Sequence, residues 1–126
     1  MKTVLIVDSV EVSRQFTEMV LSNMFATICA ATGIDALEIF REVRPDVVLS
    51  KFRLSDMTGV QLLRKLQAQF GEKIPFVLTD IDNGTDTERD ALQGGAWDFV
   101  RIPFAPEILI CRLEKVLELA DKINAP

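Results

Sequence analysis

The side chains of this chain that could do chemistry stand where apolar runs end. TVLIV closes on Asp8 and Ser9, VVL on Ser50 and Lys51, FVL on Thr79 and Asp80, and a fifth run on Arg101 and Ile102. The 126 residues include no His and no Tyr. Imidazole metal sites, His-based triads and an internal phospho-histidine relay are therefore excluded, and proton transfer falls to carboxylates, lysines and cysteines. Carboxylates at strand ends are common as solvated loop residues. Brought together on neighbouring strands with a lysine between them, they are a site or the remnant of one. Everything turns on Lys51 and on what faces it.

The elements that must position these residues alternate regularly. Thr3 to Val7, Ala26 to Ala31, Val47 to Lys51, Phe76 to Asp80 and Trp97 to Ile102 read as five short strands. VVL carries no alternation, which suits a parallel strand covered on both faces. Between the strands lie helical periodicities, with expected inward faces Val12, Phe16, Met19 and Val20; Ala36, Leu37, Phe40 and Val43; Leu62, Leu63, Leu66 and Phe70; and Ala91 with Leu92. Leu109, Ile110, Leu113, Val116, Leu117 and Ala120 form the last and cleanest stripe. Thr32 with Asp35 and Thr58 with Gln61 are capping-box spacings, Thr85 with Glu88 opens the fourth helix, Gly71 and the Gly94-Gly95 pair are stops, and Pro106 suits a first helical position. Asp80 to Gly84 (DIDNG) is loop chemistry, and the closing KINAP carries no helical pattern. Strand-helix alternation with short connections predicts an α/β fold, a doubly wound (βα)5 three-layer sandwich around a parallel five-stranded sheet. In the order 2-1-3-4-5, strands 1, 3 and 4 are neighbours, so Asp8, Lys51 and Asp80 are expected in one crevice at the carboxyl edge.

Composition excludes several functions. A net charge of −5 argues against a nucleic-acid or anionic-membrane surface. No run of 18 apolar residues occurs, and Met1-Lys2 leads straight into a strand. Cys29 and Cys111 lack CxxC spacing and lie in apolar patterns, which predicts two buried, reduced thiols in a cytoplasmic protein.

The motifs LIVDS, ATGIDALEIF, PDVVLS followed by MTG, and GAWDFVRIPFAPEIL, in that order, resemble the receiver domain of two-component response regulators. The resemblance implies a flavodoxin-like fold over residues 1–122, with 123–126 a tail or the start of a linker. Such receivers accept a phosphoryl group on an aspartate ending strand three. They hold Mg²⁺ with paired acids after strand one, contact the phosphate with a hydroxyl ending strand four, and neutralise it with a lysine before the proline after strand five. Here Asp8 matches the first acid, but Ser9 stands at the second. Lys51 occupies the acceptor position, Asp80 the hydroxyl position (Thr79 if the register slips by one), and Ile102 the lysine position. The Ile102-Pro103 bond is expected to be cis, as its counterpart tends to be in the family. Phe99 matches the aromatic that couples to the strand-four hydroxyl in switching receivers.

These departures predict a degenerate receiver with no catalytic residue and no metal, Mg²⁺ binding being weak or absent. The Lys51 ammonium would pair with Asp8, and with Asp80 as a further candidate. Asp56, in the loop beyond Lys51, is the alternative phosphate acceptor. The expected function is a non-enzymatic signalling module that contacts a protein partner, a fused output domain or a second copy. Its surface would be the fourth helix, fifth strand and fifth helix, with Trp97, Phe104, Ile108 and Cys111. A flavin- or nucleotide-binding domain of the same fold is the competing reading; Ser9 and Ser13 could contribute to a phosphate cradle, but the turn after strand one has no glycine.

Overall fold

The computed structural model describes residues 1–81 and 85–125. Five strands, β1 (Thr3–Val7), β2 (Ala26–Ala30), β3 (Val47–Lys51), β4 (Phe76–Ile81) and β5 (Asp98–Ile102), alternate with five helices. The helices are α1 (Glu11–Leu21), α2 (Gly33–Val43), α3 (Gly59–Phe70), α4 (Thr85–Gln93) and α5 (Pro106–Asn124). All neighbouring strands pair in parallel in the order β2-β1-β3-β4-β5. This is the flavodoxin-like doubly wound sandwich that the alternation predicts.

The pleat divides the core in two. Val4, Ile6, Leu49, Val77 and Val100 face α1 and α5, where Leu21, Leu109 and Leu113 meet them. Leu5, Val48, Phe76 and Leu78 face the opposite layer, where Ala36, Leu62, Leu63 and Ala91 complete the packing. Strands β1, β3 and β4 are buried on both faces, as their unbroken apolar runs require. β2, at the edge, is only half covered.

Helix starts follow the expected chemistry at three places. The Thr32 hydroxyl accepts from the Asp35 N–H at 3.0 Å. Thr58 and Gln61 form a reciprocal capping box. Pro106 opens α5. The fourth helix begins at Thr85, as expected. The expected DIDNG loop is shortened from its start, because β4 continues through Asp80 to Ile81; its last three residues also lie outside the described ones.

Several expected faces are corrected. The Val12, Phe16 and Met19 stripe of α1 points to solvent, with Val12 77 % and Met19 65 % exposed. Thr17 and Leu21 face the sheet instead. Leu21 joins Leu109, Leu113, Val116 and Leu117 of α5 in the same core layer. A threonine fits there because its hydroxyl donates to the Ser13 carbonyl, 3.1 Å away. Val43 and Leu92, each in the last turn of its helix, are exposed where the helix runs past the sheet. Ala31 and Trp97 stand just outside β2 and β5. KINAP does not leave the helix at its start: α5 remains helical through Asn124. Cys29 is half-buried and Cys111 exposed, so the expectation of two buried thiols fails for Cys111, on the outer side of α5. No helix among the described residues is long and apolar enough to cross a membrane.

Candidate functional site

The carboxyl edge of the sheet brings together part of the expected set. The Lys51 ammonium lies 3.8 Å from Asp8 Oδ2, with the Asp8 side chain 3 % exposed and the Lys51 side chain 23 %. Asp8 is held in place because its Oδ1 accepts from the Val10 N–H at 3.0 Å at the entrance to α1. Its Oδ2 is buried without a hydrogen bond. The ammonium of Lys51 is thus the charge that compensates it. Asp8, Lys51 and Thr79 line one small cavity with Thr17 and Phe104. Its volume, about 10 Å³, admits no more than a water molecule. The ring of Phe104 lies 6.3 Å from that of Phe16, so an aromatic pair stands beside the mouth.

Asp80 does not join this cluster. Successive side chains of β4 alternate, so Thr79 shares a face with Val77 while Asp80 shares one with Leu78. The Asp80 carboxylate faces Arg53 Nε at 3.5 Å, and its Oδ2 is likewise buried without a hydrogen bond. The expected three-way meeting of Asp8, Lys51 and Asp80 is therefore corrected to two separate pairs, Lys51 with Asp8 and Arg53 with Asp80. Arg53 was not expected here. Its signal is its place two residues beyond Lys51, where the chain leaving β3 passes the end of β4.

Ser9 acts as a fastener. Its hydroxyl donates to the Ala31 carbonyl at 2.6 Å and accepts from the Ser55 N–H at 3.0 Å. Three loops at the carboxyl edge are joined through this one oxygen. The site does not suit the divalent cation that the receiver resemblance implies. Of the two acids required, one is present, its free oxygen faces an ammonium, and the serine at the second place already holds the loops. Among the described residues no three Asp, Glu, Cys or His side chains converge as a metal would need.

Asp56 is engaged elsewhere. Its two oxygens accept from the Gly33 and Ile34 N–H groups at 2.9 and 3.0 Å, capping α2 from a neighbouring loop. Burial opposes its ionisation, but the two N–H groups outweigh that and hold the carboxyl below the usual aspartate value. A lowered folded-state value means the cap stabilises fully above the unfolded-state value, near 4, and fades as pH falls through the folded one. Asp56→Ala is expected to cost about 1 kcal/mol at pH 7. Urea unfolding at pH 7 and pH 3 should show the difference from wild type shrinking at the lower pH; an equal difference at both would remove the charge from the account.

Ile102 is half-buried and its bond to Pro103 is cis. Phe99, 5 % exposed, packs in the core on the α4 side, opposite Leu78 across the β4–β5 ladder. It therefore shares its sheet face with the carboxylate of Asp80 and not with the hydroxyl of Thr79. Of the four residues expected at a contact surface, Trp97 and Phe104 are half-buried against the α5-side core, whereas Ile108 and Cys111 are exposed.

The geometry has counterparts in known proteins. The response regulator receiver domain family matches residues 4–114. The regulatory protein AtoC of Escherichia coli is 32 % identical over 117 residues, covering 92 % of this chain and 25 % of that protein. The DNA-binding response regulator MtrA of Mycobacterium tuberculosis is 31 % identical over 114 residues, 90 % of this chain and 49 % of MtrA. The chain thus spans a quarter to about half of these curated relatives. Among solved structures, NtrX of Brucella abortus superposes with a TM-score of 0.88 at 27 % identity, over 95 % of this chain and 27 % of that one. With the sheet order, the motifs and the family match in agreement over most of its length, this chain belongs to the response regulator receiver domain family of two-component systems.

Proposed function

We propose that this receiver domain signals without aspartyl phosphate, as a protein-interaction module held in one state. The observation that carries this is the Lys51 ammonium at the acceptor position, 3.8 Å from the one acid retained there. An ammonium cannot accept a phosphoryl group from phospho-histidine as an aspartate does. It also supplies fixed positive charge where a metal would sit, so Mg²⁺ binding is weak or absent. Phe99, which has Asp80 rather than a hydroxyl on its sheet face, lacks one of the differential contacts that a two-position switch needs. The working surface is the α4-β5-α5 face, where exposed Ile108 and half-buried Phe104 border a groove of about 260 Å³ walled by Glu88, Phe99 and Arg112. Its occupant is a protein partner, a fused output domain or a second copy, within the cytoplasm. Incubation with acetyl phosphate and Mg²⁺, followed by intact-mass measurement, should leave the wild-type mass unchanged. A phosphoryl adduct on any aspartate, Asp56 included, would overturn the proposal.

A further inference from the structure

The opposite, amino edge of the sheet holds a second feature that the receiver chemistry does not use. A cavity of about 230 Å³ opens there between the α2–α3 layer and the C-terminal half of α5. Its apolar wall includes Phe40, Phe70 and Leu117, and its rim carries Lys2, Arg44 and Lys73 with Asp46 and Asp121. The two acids are engaged: Asp46 accepts from the Thr3 N–H at 2.7 Å, and Asp121 pairs with Lys2 at 2.9 Å. Arg44 and Lys73 have no carboxylate partner among the described residues, in a chain whose 19 acids outnumber its 14 basic residues.

Arg44 is set up unusually. It ends α2 with φ of 51°, a left-handed conformation that glycine or asparagine ordinarily takes at a helix C-terminus. Its guanidinium lies 4.2 Å from the centroid of Phe70 and 5.7 Å from that of Phe40, and these two rings are 5.0 Å apart. A guanidinium held over aromatic rings keeps N–H groups at its edge for a bidentate acceptor.

We infer that this cavity binds a small oxyanion, a carboxylate or phosphate group, through Arg44 and Lys73, with the phenylalanine wall seating an apolar body attached to it. Because α5 residues Leu117, Ala120, Asp121 and Asn124 form the far wall, an occupant joins α5 beyond the family match, which ends at 114, to the α2–α3 layer. The site is independent of the phosphate question at the other edge, so either can fail without the other.

The test is amide chemical-shift titration of the intact chain at constant ionic strength with sodium phosphate and with sodium benzoate, sodium chloride serving as control. Saturable shifts at Arg44, Lys73 and the end of α5 are expected with at least one oxyanion and not with chloride. A preference for benzoate assigns the site to carboxylates with an apolar body; a preference for phosphate assigns it to phosphates. Arg44→Gly suits the left-handed backbone and is expected to fold while weakening binding at least tenfold. Lys73→Gln, at an exposed loop position, should weaken it severalfold. Absence of saturable shifts with both anions, or affinity unchanged in both variants, would overturn the inference.

Discussion

Lys51→Ala is expected to lower the unfolding free energy by about 2–3 kcal/mol at pH 7, roughly 6–12 °C in Tm. The loss comes from Asp8. With its side chain 3 % exposed and its Oδ2 without a hydrogen bond, this carboxylate loses its one direct ion-pair partner when the ammonium is removed, and the cation left nearby, the Arg14 guanidinium, is bonded to the Asp8 backbone carbonyl at 2.8 Å and not to the carboxylate. Two charges 3.8 Å apart attract by about 4 kcal/mol at an effective dielectric constant near 20. Removing one partner of a fully buried pair costs roughly 3–5 kcal/mol. The figure here is lower because the lysine stem reaches the edge of the sheet, and water can reach Asp8 in the space it vacates. Lys51→Met retains the stem and should lose nearly as much, which separates charge from packing. Asp8→Asn combined with Lys51→Met should recover most of the loss, since no unpaired charge then remains buried. Urea unfolding of wild type, Asp8→Asn, Lys51→Met and the double variant gives the cycle. A Lys51→Ala midpoint equal to that of wild type would show that the lysine is not the counter-ion of Asp8.

The same pair marks how far sequence reasoning reaches. The site residues were legible because the apolar runs of β1, β3 and β4 each give way to a charged or hydroxyl residue near the carboxyl edge, although β3 itself continues to Lys51 and β4 to Ile81. Their adjacency followed from the doubly wound order. The pairing of Lys51 with Asp8 followed too, but the partner of Asp80 did not, because which cation a carboxylate meets depends on the pleat and on loop paths. Thr79 and Asp80 are neighbours in the chain yet face opposite layers, so a single-residue step sends Asp80 to Arg53 and leaves Thr79 beside Lys51. Periodicity failed on α1 for a related reason. The spacing of Val12, Phe16 and Met19 establishes that the helix has an apolar side, but α1 lies on the sheet through Thr17 and Leu21, with Val20 packed against the core, and turns that apolar side outward. Asp56 could be read as an exposed loop acid, but its role as a cap on α2 requires two loops distant in sequence to meet.

Gly59→Ala should be at least as damaging as the loss of Lys51, although alanine ordinarily improves a helix. Gly59 is the first residue of α3, and a Cβ there would lie 2.3 Å from Leu78 Cδ2 and 2.6 Å from the Lys51 carbonyl oxygen. Leu78 is fully buried in β4. The Lys51 carbonyl is held by the Ser50 hydroxyl at 2.9 Å, and the Gly59 N–H itself donates to the Phe52 carbonyl at 2.7 Å. Neither neighbour can yield without moving a strand end. The helix must retreat from the sheet, or Lys51 must shift away from Asp8. Overpacking of this kind costs about 3 kcal/mol, larger than the gain of up to ~1 kcal/mol from replacing a helical glycine. Combining Gly59→Ala with Lys51→Met distinguishes the two routes. If the strain is relieved by displacing Lys51, the double variant loses clearly less than the sum of the single losses. If α3 retreats instead, the losses add, and the Lys51–Asp8 pair stands apart from the packing of the glycine that follows it in the motif.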